Sequence, residues 1–145
     1  MRIRSLLLPL LLTAPFAAAG NLKCDQLNEG VPAMYICWYY NGSLAQAYAA
    51  MRANRSEDDT LRLDHPHLPR TLPTRNFKHI SYERTDYDGD GKDESYPIEL
   101  SVRRLAPDIA IVEYYYSGPA TVYSRETLFQ RRGPHVEITI KRNAP

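Results

Sequence analysis

Ile109-Ala110-Ile111-Val112-Glu113-Tyr114-Tyr115-Tyr116 is a nearly unbroken apolar and aromatic run. Its β-branched and aromatic side chains suit a pleated, half-buried surface, so it reads as a strand. Downstream, Thr121 to Gln130 reads as a mixed strand, and Val136, Ile138 and Ile140 alternate with Glu137, Thr139 and Lys141. Upstream, Tyr96, Ile98, Leu100 and Val102 alternate with polar residues, and Phe77 to Thr85 is again aromatic and β-branched. Ala106-Pro107-Asp108, Ser117-Gly118-Pro119 and Arg132-Gly133-Pro134 separate the last four of these runs as turns. Five short strands in succession predict an antiparallel meander.

Working back toward the N-terminus, residues 56–75 open with Glu57-Asp58-Asp59 and then carry Pro66, Pro69 and Pro73. Prolines at this density oppose helix and central strand alike. The segment is expected to be a connector, either wrapped over the surface or partly disordered. Residues 21–55 read as helical. Pro32 suits a first helical position, and a short helix is expected over Ala33 to Tyr40. Asn41-Gly42 breaks it, and Ser43 with Gln46 forms a capping box for a second helix, in which Leu44, Ala47, Tyr48 and Met51 recur at helical spacing. The expected fold class is α+β: a helical hairpin (20–55), the connector (56–75) and a meander of about five strands (76–142), all within one domain over 20–145.

The first residues, Met1-Arg2-Ile3-Arg4, precede an apolar run from Leu6 to Phe16 and then Ala17-Ala18-Ala19. That order predicts a signal peptide over 1–19 and a mature chain that is periplasmic or extracellular. The run is too short to span a bilayer, and Pro9 and Pro15 interrupt it. Cys24 and Cys37 are the two cysteines, and an oxidising compartment predicts that they pair as a disulfide. The formal charge is +1. Loss of Arg2 and Arg4 takes it to −1, which gives no global attraction toward nucleic acid.

Asp86-Tyr87-Asp88-Gly89-Asp90-Gly91-Lys92-Asp93-Glu94 carries the sharpest chemical signal. Three alternating carboxylates repel one another unless a cation joins them. Gly91 follows the third, where a calcium loop turns sharply. The expected calcium ligands are Asp86, Asp88, Asp90, the Lys92 carbonyl and Glu94. These residues resemble the Asp-x-Asp-x-Asp-Gly loops of EF-hands, dockerins and FG-GAP repeats. Pro97 stands where an EF-hand has its twelfth-position glutamate, so the resemblance is to the shorter form flanked by strands. It implies a bound calcium ion that pins a hairpin.

Other residues carry less. Asp64-His65-Pro66-His67 has metal-binding residue types and is read as proline-rich loop surface. Glu99 and Glu113 are read as surface acids. No Gly-x-Ser-x-Gly elbow and no His-Glu-x-x-His helix occurs. Tyrosine is abundant, with 11 residues. On a strand, Tyr114 and Tyr116 share one face, and an exposed tyrosine cluster favours binding. Paired cysteines followed by the Ala/Tyr-rich run Leu44 to Met51 are similar to small periplasmic proteins grouped with lysozyme inhibitors. Ser117-Gly118 followed by Tyr123 is similar to the Ser-Gly-x-x-Tyr inhibitory loop of other such inhibitors, with the tyrosine arriving later. The resemblance implies a partner surface at Ser117, Gly118 and Tyr123, and the tyrosine face adds Tyr114 and Tyr116 to it. The expected function is that of a calcium-binding, exported, non-enzymatic module against a cell-wall hydrolase, as inhibitor or immunity-like factor. The alternatives are a secreted enzyme or accessory domain acting on cell-wall polymers, and a structural envelope module.

Overall fold

The computed structural model describes residues 21–144. The predicted leader over 1–19 lies outside the described residues. Seven strands form one antiparallel sheet: β1 (Leu22–Asn28), β2 (Ala33–Tyr39), β3 (Phe77–Thr85), β4 (Glu94–Ala106), β5 (Ile109–Ser117), β6 (Val122–Arg132) and β7 (His135–Asn143). Their order across the sheet is β1-β2-β7-β6-β5-β4-β3. One α-helix, α1 (Leu44–Ala53), and a 3₁₀ turn (Asp59–Leu61) complete the regular structure. None of the described helices is long and apolar enough to cross a membrane.

This corrects the expected fold class. Among the described residues there is no helical hairpin; α1 is the single α-helix on a predominantly β fold of seven strands. The segment expected to be the first helix is β2. Its sequence, Ala-Met-Tyr-Ile-Cys-Trp-Tyr, contains no polar residue that would reveal a period. Yet burial alternates along it: Ala33, Tyr35, Cys37 and Tyr39 are buried, while Met34, Ile36 and Trp38 are half-buried. The eight residues between Pro32 and Asn41 suit a strand better than a helix, and aromatic and β-branched types reinforce that choice. Cys24 and Cys37 form a disulfide. They stand directly opposite one another across the β1–β2 pair, so the bridge staples two neighbouring strands.

The inner face of the sheet is the core. Leu100, Val102, Ala110, Val112, Phe129, Val136, Ile138 and Ile140 are buried there against Leu44, Ala47, Tyr48, Ala50, Met51, Leu63 and Leu68. Phe129 and Tyr48 meet with ring centroids 6.0 Å apart. Ser43 caps α1: its hydroxyl accepts from Gln46 N–H at 3.2 Å, and the Gln46 side chain accepts from Ser43 N–H at 2.9 Å. Asn41 takes the left-handed conformation, φ 54°, which turns the chain from β2 into the helix.

The proline-rich connector is wrapped over this inner face and pinned along its length. Arg52 donates to the carbonyls of Leu63 (2.9 Å) and His65 (3.2 Å), and Tyr48 Oη donates to Pro69 O at 2.7 Å. Arg142 reaches Asp59 Oδ1 at 3.1 Å and Thr60 Oγ1 at 2.8 Å. A segment that cannot form a ladder of its own thus has its carbonyls satisfied by side chains of the helix and sheet. Its path carries the chain from β2 near one edge to β3 at the other.

Candidate functional site

Tyr114 and Tyr116 share the inner face of β5 because side chains alternate along a strand. Tyr123 and Arg125 share the inner face of β6, and the register sets Tyr116 opposite Tyr123 and Tyr114 opposite Arg125. The connector passes over them. Together with Asp59, Arg62, Asp64, His65 and Pro66 they enclose an open groove of about 500 Å³. Tyr114 and Tyr123 contact edge to face, with centroids 5.5 Å apart, and His65 lies 5.6 Å from Tyr114. Arg125 donates to Arg62 O at 2.7 Å and Asp59 O at 3.2 Å, fixing one wall to the floor.

The phenols of this groove are all held in their neutral form. Burial pushes Tyr114 and Tyr123 up, and the Glu83 carboxylate beside Tyr116 does the same for it. Each is therefore available both to donate and to accept a hydrogen bond. Burial pushes His65 down, aided by the positive charges of its neighbours. The groove thus offers flat apolar rings with polar tips, two guanidinium groups and two carboxylates.

Ser117 ends β5 and Gly118 opens the turn that joins it to β6, at the end of the groove. Gly118 N–H donates to Thr121 O at 2.9 Å, closing the turn. A Cβ at Gly118 would collide with the Tyr116 phenol, so glycine is what lets that ring lie flat on the turn. Tyr114, Tyr116 and Tyr123 therefore share one end of the inner face, next to Gly118, while Ser117, one residue beyond Tyr116, alternates to the other face. Arg125 was accessible to the same reading, two residues beyond Tyr123 on the strand. Asp59, Arg62, Asp64 and His65 were not, because only the path of the connector brings them there.

The acidic segment forms the β3–β4 connection, at the sheet edge away from the disulfide. Asp86 folds back on the loop: its carboxylate accepts from Asp90 N–H at 3.0 Å and Gly91 N–H at 2.9 Å. Asp90 accepts from Lys92 N–H at 2.9 Å, and its other oxygen faces Lys92 Nζ at 3.4 Å. Gly89 and Gly91 are left-handed, φ 70° and 79°. Glu94 accepts a hydrogen bond from Tyr96, whose phenol is thereby pushed up to about 12. Asp86, Asp88, Asp90, Lys92 and Glu94 are all exposed. Among the described residues, no three His, Cys, Asp or Glu side chains are arranged to hold a metal ion. The Asp86 and Asp90 carboxylates instead satisfy backbone N–H groups of their own turn.

No protein-family model, no curated protein sequence and no solved structure matches this chain.

Proposed function

We propose that this chain is an exported, non-enzymatic binding domain whose groove receives a segment of a protein partner. The partner class is a cell-wall-active hydrolase, held as by an inhibitor or immunity factor. The observation that carries this reading is the meeting of Tyr114, Tyr116, Tyr123 and Arg125 on one open groove beside the Ser117-Gly118 turn. Tyrosine and arginine are the types that anchor protein interfaces, since they give large contact area and directed hydrogen bonds. The test uses the mature chain, a muramidase and suspended cell walls. Lysis should slow when the chain is added, and Tyr123→Ala should weaken the inhibition by about tenfold or more. An unchanged lysis rate removes the hydrolase. Retention of the chain on insoluble wall, lost in Tyr123→Ala, would instead mark an accessory domain for wall polymers, which the mixture of aromatic faces and polar tips also suits. Export itself rests on the leader ending at Ala19, and the mass of the secreted protein should place its N-terminus at Gly20.

Calcium binding at the acidic hairpin is a second proposal. Its support is backbone geometry: Gly91, sixth in the loop, takes the left-handed turn that such loops require at that place. The ion would take Asp86, Asp88, Asp90, the Lys92 carbonyl and Glu94, with Glu94 leaving Tyr96. Calorimetry should show calcium uptake that disappears in Asp88→Ala. Equal heats from both proteins would discard the site.

A further inference from the structure

β3 is one edge of the sheet: it pairs with β4, and among the described residues no strand lies on its other side. All 9 of its residues stay in register with β4, from Phe77 opposite Val102 to Thr85 opposite Glu94. It has neither a bulge nor a proline, the devices that commonly keep an edge strand from pairing with another chain. The opposite edge, β1, is built otherwise. It has 7 residues and loses register between Gln26 and Asn28. A straight edge strand leaves a row of backbone N–H and C=O groups unpaired, and these form a template for one more strand.

The side chains of β3 suit a copy of itself. Lys78, Ile80, Tyr82 and Arg84 lie on the outer face, where Ile80 is 46% and Tyr82 65% exposed. Phe77, His79, Ser81, Glu83 and Thr85 lie on the inner face. The connector covers that face at His79, where His67 stacks on the ring with centroids 4.1 Å apart, and His65 follows 5.6 Å from His67. This histidine cluster covers a face of the strand. Among the described residues, no backbone group from outside the sheet hydrogen-bonds to β3.

We propose that two copies of this chain associate by antiparallel pairing of β3 with β3, about a two-fold axis at Ser81 and normal to the sheet. Closed two-fold pairing of this kind joins the same patch on both copies. Ile80 then falls opposite Tyr82 of the second copy on the outer face, and a β-branched residue across from an aromatic one stabilises a strand pair. On the inner face, His79 falls opposite Glu83 of the second copy. His79 Nε2 has no hydrogen-bond partner within one chain, and the pairing supplies an acceptor on the same face. A carboxylate has two acceptor oxygens, so Glu83 can serve there while it stays beside the Tyr116 phenol. Phe77 falls opposite Thr85 of the second copy. The one unfavourable pair is Lys78 opposite Arg84 of the second copy, and Glu99, 2.8 Å from Lys78 Nζ, offsets it. A slip of the register by two residues in either direction breaks both the Ile80–Tyr82 and the His79–Glu83 couples. The pairing asks for no change in the backbone of either chain, and it leaves the groove between β5, β6 and the connector open.

Sedimentation of the mature chain over a range of concentrations tests the association. The parent chain should pass from monomer to dimer as concentration rises. Tyr82→Lys, at a side chain outside the core, sets a cation diagonal to Lys78 of the second copy at two related places. It should weaken the dimer by about tenfold or more. Arg84→Glu, at an exposed position, turns the like-charge pair with Lys78 into an opposite-charge pair and should tighten the dimer several-fold. In Ser81→Cys the two new thiols face one another and should cross-link on mild oxidation, whereas Asp108→Cys, in the exposed β4–β5 turn, should not. The natural cysteines are already paired and do not compete. A parent chain that stays monomeric at every concentration overturns the proposal and leaves the edge to a strand of another protein. Unchanged association in Tyr82→Lys or in Arg84→Glu overturns it as well, as does cross-linking of Ser81→Cys no faster than that of Asp108→Cys. Inhibition of a hydrolase by a strictly monomeric chain would leave the groove reading standing, since the two surfaces are separate.

Discussion

The two ends of the sheet are built differently. At the β1–β2 end, a disulfide joins the strands and α1 lies over the inner face. At the β3–β4 end there is no such staple, and Ile80, Tyr82 and the acidic hairpin face solvent. The groove and the histidine cluster sit between connector and sheet toward this second end. One half supplies a rigid base, and the other presents chemistry. Residues at binding surfaces are commonly freed from core duty in this way, because a side chain committed to packing cannot also meet a ligand.

The largest expected contrast is in core truncation. Phe129 is fully buried under Tyr48, so Phe129→Ala should destabilise by about 3–5 kcal/mol. Tyr82 is 65% exposed, so Tyr82→Ala should change stability by no more than about 0.5 kcal/mol. Urea unfolding of both variants measures the difference. Equal losses would mean that the open end is packed as tightly as the covered one.

This contrast also marks what could be read in advance. Val136 to Lys141 alternates cleanly, so its period, and hence its buried face, is visible residue by residue. Residues 33–39 are apolar throughout, and both of their faces are at least half-buried, so no period shows. Pro32 and the capping box at Ser43 both favour helix locally, on either side of the break. The capping box is real, but it belongs to α1 alone. The tyrosines of the groove were legible because they share a strand face. The connector residues and the stacked His67 and His79 were not, because they meet only through a crossover of the whole sheet.

A smaller effect comes from the staple. Cys24 and Cys37 are separated by 13 positions, and closing a loop of that size constrains the unfolded chain by about 3 kcal/mol. The double substitution Cys24→Ser with Cys37→Ser should lower stability by roughly that amount or less. Affinity at the distant groove should hold. A loss of stability together with a loss of partner binding would show that the two ends are coupled and would erase the contrast drawn above.

The smallest expected effect is acid sensitivity at the open end. The native pKa of His65 is held low, first by burial and then by His67, His79 and Arg125, with Asp64 pulling the other way. Tyr114 and Arg62 also face the same groove. An unfolded histidine titrates near about 6.5. Between that value and the lower native one, the unfolded chain binds more protons, so stability rises with pH. The contribution is present above about 6.5 and is lost as pH falls through the native value. Because His65 is partly exposed, solvent screening keeps the loss modest. Glu113, held low by its hydrogen bonds from Arg103 and by the Ser101 hydroxyl, loses its contribution only in the more acidic carboxylate range, so the two windows separate. Unfolding midpoints measured on either side of about pH 6.5 should fall on the acid side in the parent chain. In His65→Gln that slope should flatten, while the decline in the carboxylate range persists. An identical slope in both proteins would mean that the connector is held on the sheet by Arg52, Arg125, Arg142 and Tyr48, with the charge state of His65 irrelevant to it.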